Sequence, residues 1–364
     1  MEQIILFAFL ALYPFGQIIK IGIISPIDII VGIGAFYAII KKYKKPEVFK
    51  YFENFLILAV SSSLFGIFLF PSSQVLYGFL YLVRLTAYFY FFLLVSNFAK
   101  KNKPLLLNSL LTVGAASALF GWIQFFWVPD IKPFFVWGWD EHLFRLVGTF
   151  LDPTFLGLII VFGSIIAIYK KKWLLTLFLI ISLAFTYSRA SYLAFAAGVL
   201  SIGFFENKIK KLLPLLLGLL ILVFLLPTSR NHSIELFRSF SVLSRIENYG
   251  QTIEIFKTSP IFGVGFNNIC LARNKFIGYE SFSSHACSGS DSSLLLVLAT
   301  TGLAGLFVFC HLIYNLWIRS TPILKSTLIA LFVHSLFSNS IFYPWIMGYL
   351  IILSAITLRR KIEG

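Results

Sequence analysis

The sequence predicts an all-α polytopic integral membrane protein, with about twelve transmembrane helices and one long extracytoplasmic loop between the ninth and the tenth. Three observations lead there. Hydrophobic residues make up 59% of the 364 residues against 12% charged, and the mean hydropathy is +0.88, far from the composition of a soluble domain. Apolar runs long enough for about 30 Å of hydrocarbon can be laid out about twelve times. The basic residues collect in the short connections between alternate runs, which turns a formal charge of +15 into a topology signal and leaves no expectation of a nucleic-acid partner.

In chain order the runs lie near 4–18, 25–40, 53–71, 75–98, 104–127, 152–169, 173–187, 189–205, 211–226, 291–315, 322–340 and 343–358. Turn formers such as Pro14, Gly16 and Pro344 interrupt the first and last pairs. Met1-Glu2-Gln3 lacks the basic start of a secretory signal, and no small-residue cleavage site follows, so the first run is expected to stay in the mature protein. The clusters at Lys41–Lys45, Lys100–Lys103, Lys170–Lys172, Lys208–Lys211, Arg319 with Lys325, and Arg359–Lys361 then share one side. With Lys50 they hold nineteen of the 30 basic residues. The positive-inside rule puts that side and both termini in the cytoplasm, and the chain in the cytoplasmic (inner) membrane. The expected division is 1–226 for helices one to nine, 227–290 for the extracytoplasmic loop with surface helices, and 291–364 for helices ten to twelve.

Two external segments are substantial. Residues 128–151 hold Trp137 and Trp139, suited to interfacial anchoring. The long loop repeats Ile246, Tyr249, Ile253 and Phe256 at spacings of three and four, an apolar helix face that would lie on the membrane surface and bring Arg245 to headgroup level. Pro260 stops that helix. Gly263 and Gly265 allow a tight turn after it.

The chemistry-bearing residues fall mostly on that external side. Arg145, Arg189 and Arg245 are candidates for holding a diphosphate, because a guanidinium offers a planar fork of donors and keeps its charge when partly dehydrated. Each could instead cap a helix or meet lipid headgroups. Arg84, inside an apolar run, should face either that ligand or a partner such as Asp28. Asp291, at the head of the tenth run, is placed to accept a proton from a hydroxyl if partial burial raises its pKa; the competing role is a helix N-cap. His285 is the other candidate base. Gly302 and Gly305 suit close helix contact. Cys270 and Cys287 could close a disulfide across the loop, leaving Cys310 within a span. Asp140-Glu141-His142 cannot easily converge on one ion, so neither a metal nor another cofactor is expected.

One ordered set of these motifs resembles the O-antigen ligase and polysaccharide polymerase superfamily of membrane glycosyltransferases. It comprises Arg145-Leu146-Val147-Gly148-Thr149-Phe150 with Asp152-Pro153, Ser188-Arg189, Arg245, Ser259-Pro260-Ile261-Phe262-Gly263-Val264-Gly265, and Asp291 to Gly305. The resemblance implies a helical fold of the lipid-sugar-using (GT-C type) class. It also implies transfer of a glycan from an undecaprenyl-diphosphate carrier to an acceptor hydroxyl on a glycan or lipid-glycan, without a metal. Carried over by position, Arg189 and Arg245 would hold the diphosphate leaving group. Ligases of this family usually start the tenth span with histidine followed by asparagine, where this chain has Asp291-Ser292. Two other classes compete. A transporter or flippase of lipid-linked glycans should bind near the bilayer midplane and show paired repeats, and a scaffold should lose no chemistry without its arginines.

Overall fold

The computed structural model describes residues 1–19, 22, 24–137, 141–226, 239–278 and 289–358, without the side chains of 135–137 and 239–242. Among the described residues every named element is helical, and β-type pairing is confined to isolated bridges such as Asp130 with Leu143 and Ser320 with Leu358. The helices are α1 (Glu2–Leu12), α2 (Pro26–Ile40), α3 (Phe49–Leu69), α4 (Ser72–Trp127), α5 (Pro153–Tyr169), α6 (Trp173–Ala184), α7 (Arg189–Phe205), α8 (Ile209–Leu225), α9 (Ser239–Thr258), α10 (Ile269–Phe276), α11 (Ser293–Ile318), α12 (Pro322–Ser335) and α13 (Pro344–Thr357). Each apolar run read from the sequence holds one of these helices or an arm of one. By length and apolarity three of them, α3, α4 and α11, suffice to cross a membrane, and seven shorter apolar helices run 10–17 residues.

α4 is two arms joined at Asn102, the one residue that leaves helical geometry (φ −127°, ψ 26°). Pro104, which has no N–H to continue the ladder, follows two residues later. The chain turns back there. Asn97 in the first arm donates to Glu2 at the start of α1, whereas Phe120 in the second arm packs on Phe15 just past the other end of α1.

Side-chain bonds define two ends of the bundle. At one end Glu2 also receives the Tyr43 hydroxyl, Arg319 pairs with Glu47 at 2.8 Å, and Ser320 bridges Leu358. The lysine-rich turns lie at this end, at the Asn102 junction and between α2 and α3, α5 and α6, and α7 and α8. At the opposite end Gln17 reaches Phe150 and Tyr343, and Thr149 donates to Pro14.

α5 is the central helix. From Leu156 to Ile168 every residue is buried, as expected of a helix that is apolar on all sides. Its start is fixed by Asp152, whose carboxylate accepts from the N–H groups of Thr154 and Phe155 at 2.6 and 3.1 Å.

α11 is built differently. Gly302 breaks it with φ 68° and ψ −171°, and the segment after Pro260 fills the break. Val264 and Gly265 donate to Ala299 and Thr300, both at 3.0 Å, while Leu303 and Ala304 donate back to Pro260 and Ile261 at 2.8 and 3.3 Å. The Ser62 hydroxyl lies 2.6 Å from the carbonyls of both Phe262 and Thr300. Non-helical backbone at this depth is tolerable only because its polar groups are paired within the protein. A side chain at Gly302 would meet the Ile261 carbonyl oxygen at 2.1 Å, so the close approach as well as the positive φ demands glycine.

Candidate functional site

The end of the bundle opposite the lysine-rich turns gathers most of the polar residues singled out from the sequence. Arg145 is bonded to the turn between α6 and α7: its Nε donates to the Thr186 carbonyl at 3.0 Å and a terminal nitrogen to the Tyr187 carbonyl at 3.1 Å. Those carbonyls lie in the turn after α6, three and two residues before Arg189 opens α7. Ser188 caps α7, its hydroxyl accepting from the Ser191 N–H at 3.3 Å. Arg189 is half-buried at that helix start.

Beneath this turn lies a residue the sequence reading passed over. His334, near the end of α12, is fully buried. Its Nε2 sits 3.2 Å from the Thr154 carbonyl and 3.3 Å from the Ser191 hydroxyl, and its Nδ1 is 2.5 Å from the Ser340 hydroxyl. Because a carbonyl only accepts, Nε2 carries the hydrogen and Nδ1 accepts from Ser340. One imidazole thus ties α12 to α5, to α7 and to the segment ahead of α13. The signal that could have found it is the one applied to Arg84, an ionisable group inside an apolar run.

α9 docks on the same end. The Tyr249 hydroxyl donates to the Leu336 carbonyl just past α12, and Arg245, one turn earlier, is half-buried within electrostatic reach of His334. Asp291, bonded to the neighbouring Asn248, also lies within electrostatic reach of Tyr249. Burial pushes the Tyr249 phenol above its ordinary value of 10.0, the Arg245 guanidinium opposes that rise, and the Asp291 carboxylate adds to it. Tyr249 therefore feels both charges.

Asp291 is held through its backbone. Its N–H donates to the Asn248 amide oxygen at 2.9 Å, and Thr252 Oγ1 lies 3.1 Å from Ser290 Oγ. The N-cap of α11 is Ser292, which accepts from the Leu295 N–H at 3.4 Å, so the capping role weighed for Asp291 belongs to its neighbour. The buried face of α9 is accordingly Thr252 and Ile255, while Ile246 and Ile253 of the expected apolar stripe remain 59% and 40% exposed. Polar bonds to the head of α11 help decide which side of α9 meets the protein; Tyr249 and Phe256 of the stripe also touch it, the latter packing beside Ile255, and Ile246 and Ile253 face away.

Arg84 belongs to a separate cluster. It pairs with Asp28 at 3.1 Å, and Asp28 also accepts from the Ser25 N–H and hydroxyl, both at 2.9 Å, and from Tyr88 at 3.3 Å. The guanidinium lies 5.3 Å from the Tyr81 ring centre. The partner reading of Arg84 thus has its geometry. Cys270 is disulfide-bonded and Cys310 is a free thiol. His285 and Cys287 lie outside the described residues.

The arrangement sets three half-buried arginines, Arg145, Arg189 and Arg245, and a carboxylate around one end of a helical bundle, with the supporting hydrogen bonds made mainly by backbone, serine and a single imidazole. It can bind an anion and accept a proton. The family model described as O-antigen ligase matches residues 173–310, a stretch that runs from α6 through the α11 break and takes in Arg189, Arg245, Asp291 and Gly302. No curated protein matches the chain. The match falls on the segment that carries the site, in a chain of mainly apolar helices, and supports the O-antigen ligase and polysaccharide polymerase superfamily of membrane glycosyltransferase-type enzymes.

Proposed function

We propose that the protein moves a glycan from an undecaprenyl-diphosphate carrier to an acceptor hydroxyl on a glycan or lipid-glycan, at the outer face of the cytoplasmic membrane. In this reading all twelve apolar segments cross the bilayer, both termini are cytoplasmic, residues 227–290 form the external loop, and Cys270 and Cys287 bridge it. The acceptor oxygen attacks the anomeric carbon from the side opposite the carrier, so the configuration inverts. The bond from that carbon to the diphosphate oxygen breaks, and its electron pair leaves with the diphosphate. Arg189 and Arg245 stabilise the charge that develops there, so no metal is required. Arg145 fixes the turn that presents Arg189. The acceptor proton goes to Asp291, or to His285.

The observation that carries the reading is that Asp291 is bonded to Asn248 of α9, one turn from Arg245, within the segment that matches the family. The test uses the full-length protein in nanodiscs with a labelled undecaprenyl-diphosphate oligosaccharide and an acceptor glycan. Wild type should release carrier diphosphate and enlarge the acceptor. Arg189→Ala and Arg245→Ala should each lose about 100-fold or more of that rate, as expected for groups that stabilise developing charge. An arginine variant with the wild-type rate, or label crossing a sealed bilayer with no bond made, would overturn the proposal.

A further inference from the structure

Arg189, Arg245 and Asp291 come from three separate elements, and each element is fastened to the same short turn. The turn runs from His334, near the end of α12, to Ile341, just ahead of α13. Helix α9, which carries Arg245, meets it where the Tyr249 hydroxyl donates to the Leu336 carbonyl. Two residues past Asp291, at the head of α11, the Ser293 hydroxyl donates to the Ser338 carbonyl at 3.3 Å and accepts from the Ile341 N–H at 3.2 Å. Helix α7, which begins with Arg189, is reached through the imidazole: His334 Nε2 lies 3.3 Å from the Ser191 hydroxyl. That hydroxyl lies 2.8 Å from the hydroxyl of Ser188, the α7 cap.

His334 holds the turn still. Its Nε2 also engages the Thr154 carbonyl in the first turn of α5, and its Nδ1 reaches Ser340, which closes the turn on itself. With both ring nitrogens bonded, the imidazole keeps one tautomer and one orientation. Ser191 has little room to move away, since a side-chain carbon at Gly157 of α5 would already lie 2.4 Å from its hydroxyl oxygen. Backbone bonds from Phe337 to His334 and from Tyr343 to Ser340 complete the turn. Two guanidinium groups that share one diphosphate must keep a set spacing, and a misplacement of about 1 Å in a positioned group costs on the order of 100-fold in rate.

We propose that the turn from His334 to Ile341 sets the spacing of Arg189 from Arg245 and Asp291, with His334 as the positioning residue that couples α7 to the other two. The turn lies beyond the residues 173–310 that match the family. What the spacing serves rests on the function given above; the spacing itself does not.

The test is a spin-label distance measurement on the full-length protein in nanodiscs without substrate. Labels go on Leu193→Cys and Ile246→Cys, exposed positions of α7 and α9, with Cys310→Ser to remove the free thiol. The parent should give one narrow distance, and His334→Ala a broader or shifted one. His334→Gln, whose amide reaches as far as Nε2, should restore it. Ser340→Ala, which keeps the ring and removes its Nδ1 partner, gives a milder second case if the alanine variant fails to fold. Tyr349→Phe, which removes a buried bond to the Leu110 carbonyl from the body of α13, should leave the distance unchanged. In the transfer assay His334→Ala should raise the donor KM about tenfold and lower kcat less than about threefold. An unchanged distance in both turn variants, equal broadening in Tyr349→Phe, no recovery with glutamine, or a lost kcat at unchanged donor KM would each overturn the assignment. Because the distances need no substrate, a protein that transfers nothing would sink the proposed function while the labels still decide this inference.

Discussion

α5 and α11 are both long apolar helices, yet α5 is unbroken and buried on every side while α11 is interrupted at Gly302 and completed by a loop from elsewhere in the chain. An intact helix satisfies its own backbone, so apolar packing is all it needs. A broken one must borrow partners, and that debt fastens the borrowed segment in place. The loop after Pro260 continues directly from α9, so α9 is attached to α11 at two levels: through Asn248 and Thr252 to Ser290 and Asp291 above, and through Pro260 to Gly265 at the break below. Arg245 and Asp291 owe their common location to that double attachment.

The contrast can be broken most forcefully at its glycines. Gly302→Val forces a β-branched residue into positive φ and against the Ile261 carbonyl, and should lower stability by about 3 kcal/mol or more. Gly163→Ala, in the intact α5 with Gly114 Cα at an ordinary 3.4 Å, should change it by less than about 1 kcal/mol. Thermal unfolding of both variants in detergent makes the comparison. Equal effects would show that the break is not held by its loop.

A smaller effect is expected where the two helices meet the site. His334→Ala opens a buried cavity and leaves the Thr154 carbonyl and the Ser340 hydroxyl with only their bonds to the Ser191 hydroxyl and the Ser338 carbonyl; it should cost about 2 to 3 kcal/mol, with His334→Asn recovering part of it. If the imidazole positions the start of α7, the alanine variant should also raise the KM for the donor more than it lowers kcat.

The smallest change is Tyr249→Phe, which removes one hydrogen bond to the Leu336 carbonyl and should cost about 1 kcal/mol. Its pH dependence has a definite sign. The folded phenol titrates above 10.0, so the protonated form is favoured by folding; its contribution is complete below that pH and is lost as pH rises through the higher folded value. Chemical unfolding should therefore separate wild type from Tyr249→Phe equally at pH 6 and pH 8, with the gap narrowing only in strong alkali.

Much of this was legible in the chain itself. Twelve apolar runs correspond to helices or helix arms, and Pro260, Gly263 and Gly265 were read as a stop followed by a tight turn, as found. Gly302 was read as permitting close contact; that its neighbour would be this same loop was beyond local pattern, because the pairing joins residues about forty positions apart. The docking face of α9 lies beyond local pattern for a related reason. Periodicity finds an apolar stripe, but Asn248 and Thr252 turn the helix toward Ser290 and Asp291 through bonds that no spacing rule encodes. His334 escaped notice inside an apolar run, where its three partners come from α5, α7 and the segment before α13.

By itself the amino-acid order determined the helical membrane class, the side on which basic residues collect, and the arginines and carboxylate worth testing, since hydropathy, charge placement and residue chemistry are local properties. Tertiary structure alone decided that Asp28 neutralises Arg84, that Ser292 rather than Asp291 caps its helix, and that one loop repairs a broken span. These depend on which distant polar groups meet away from water, where each must find a partner.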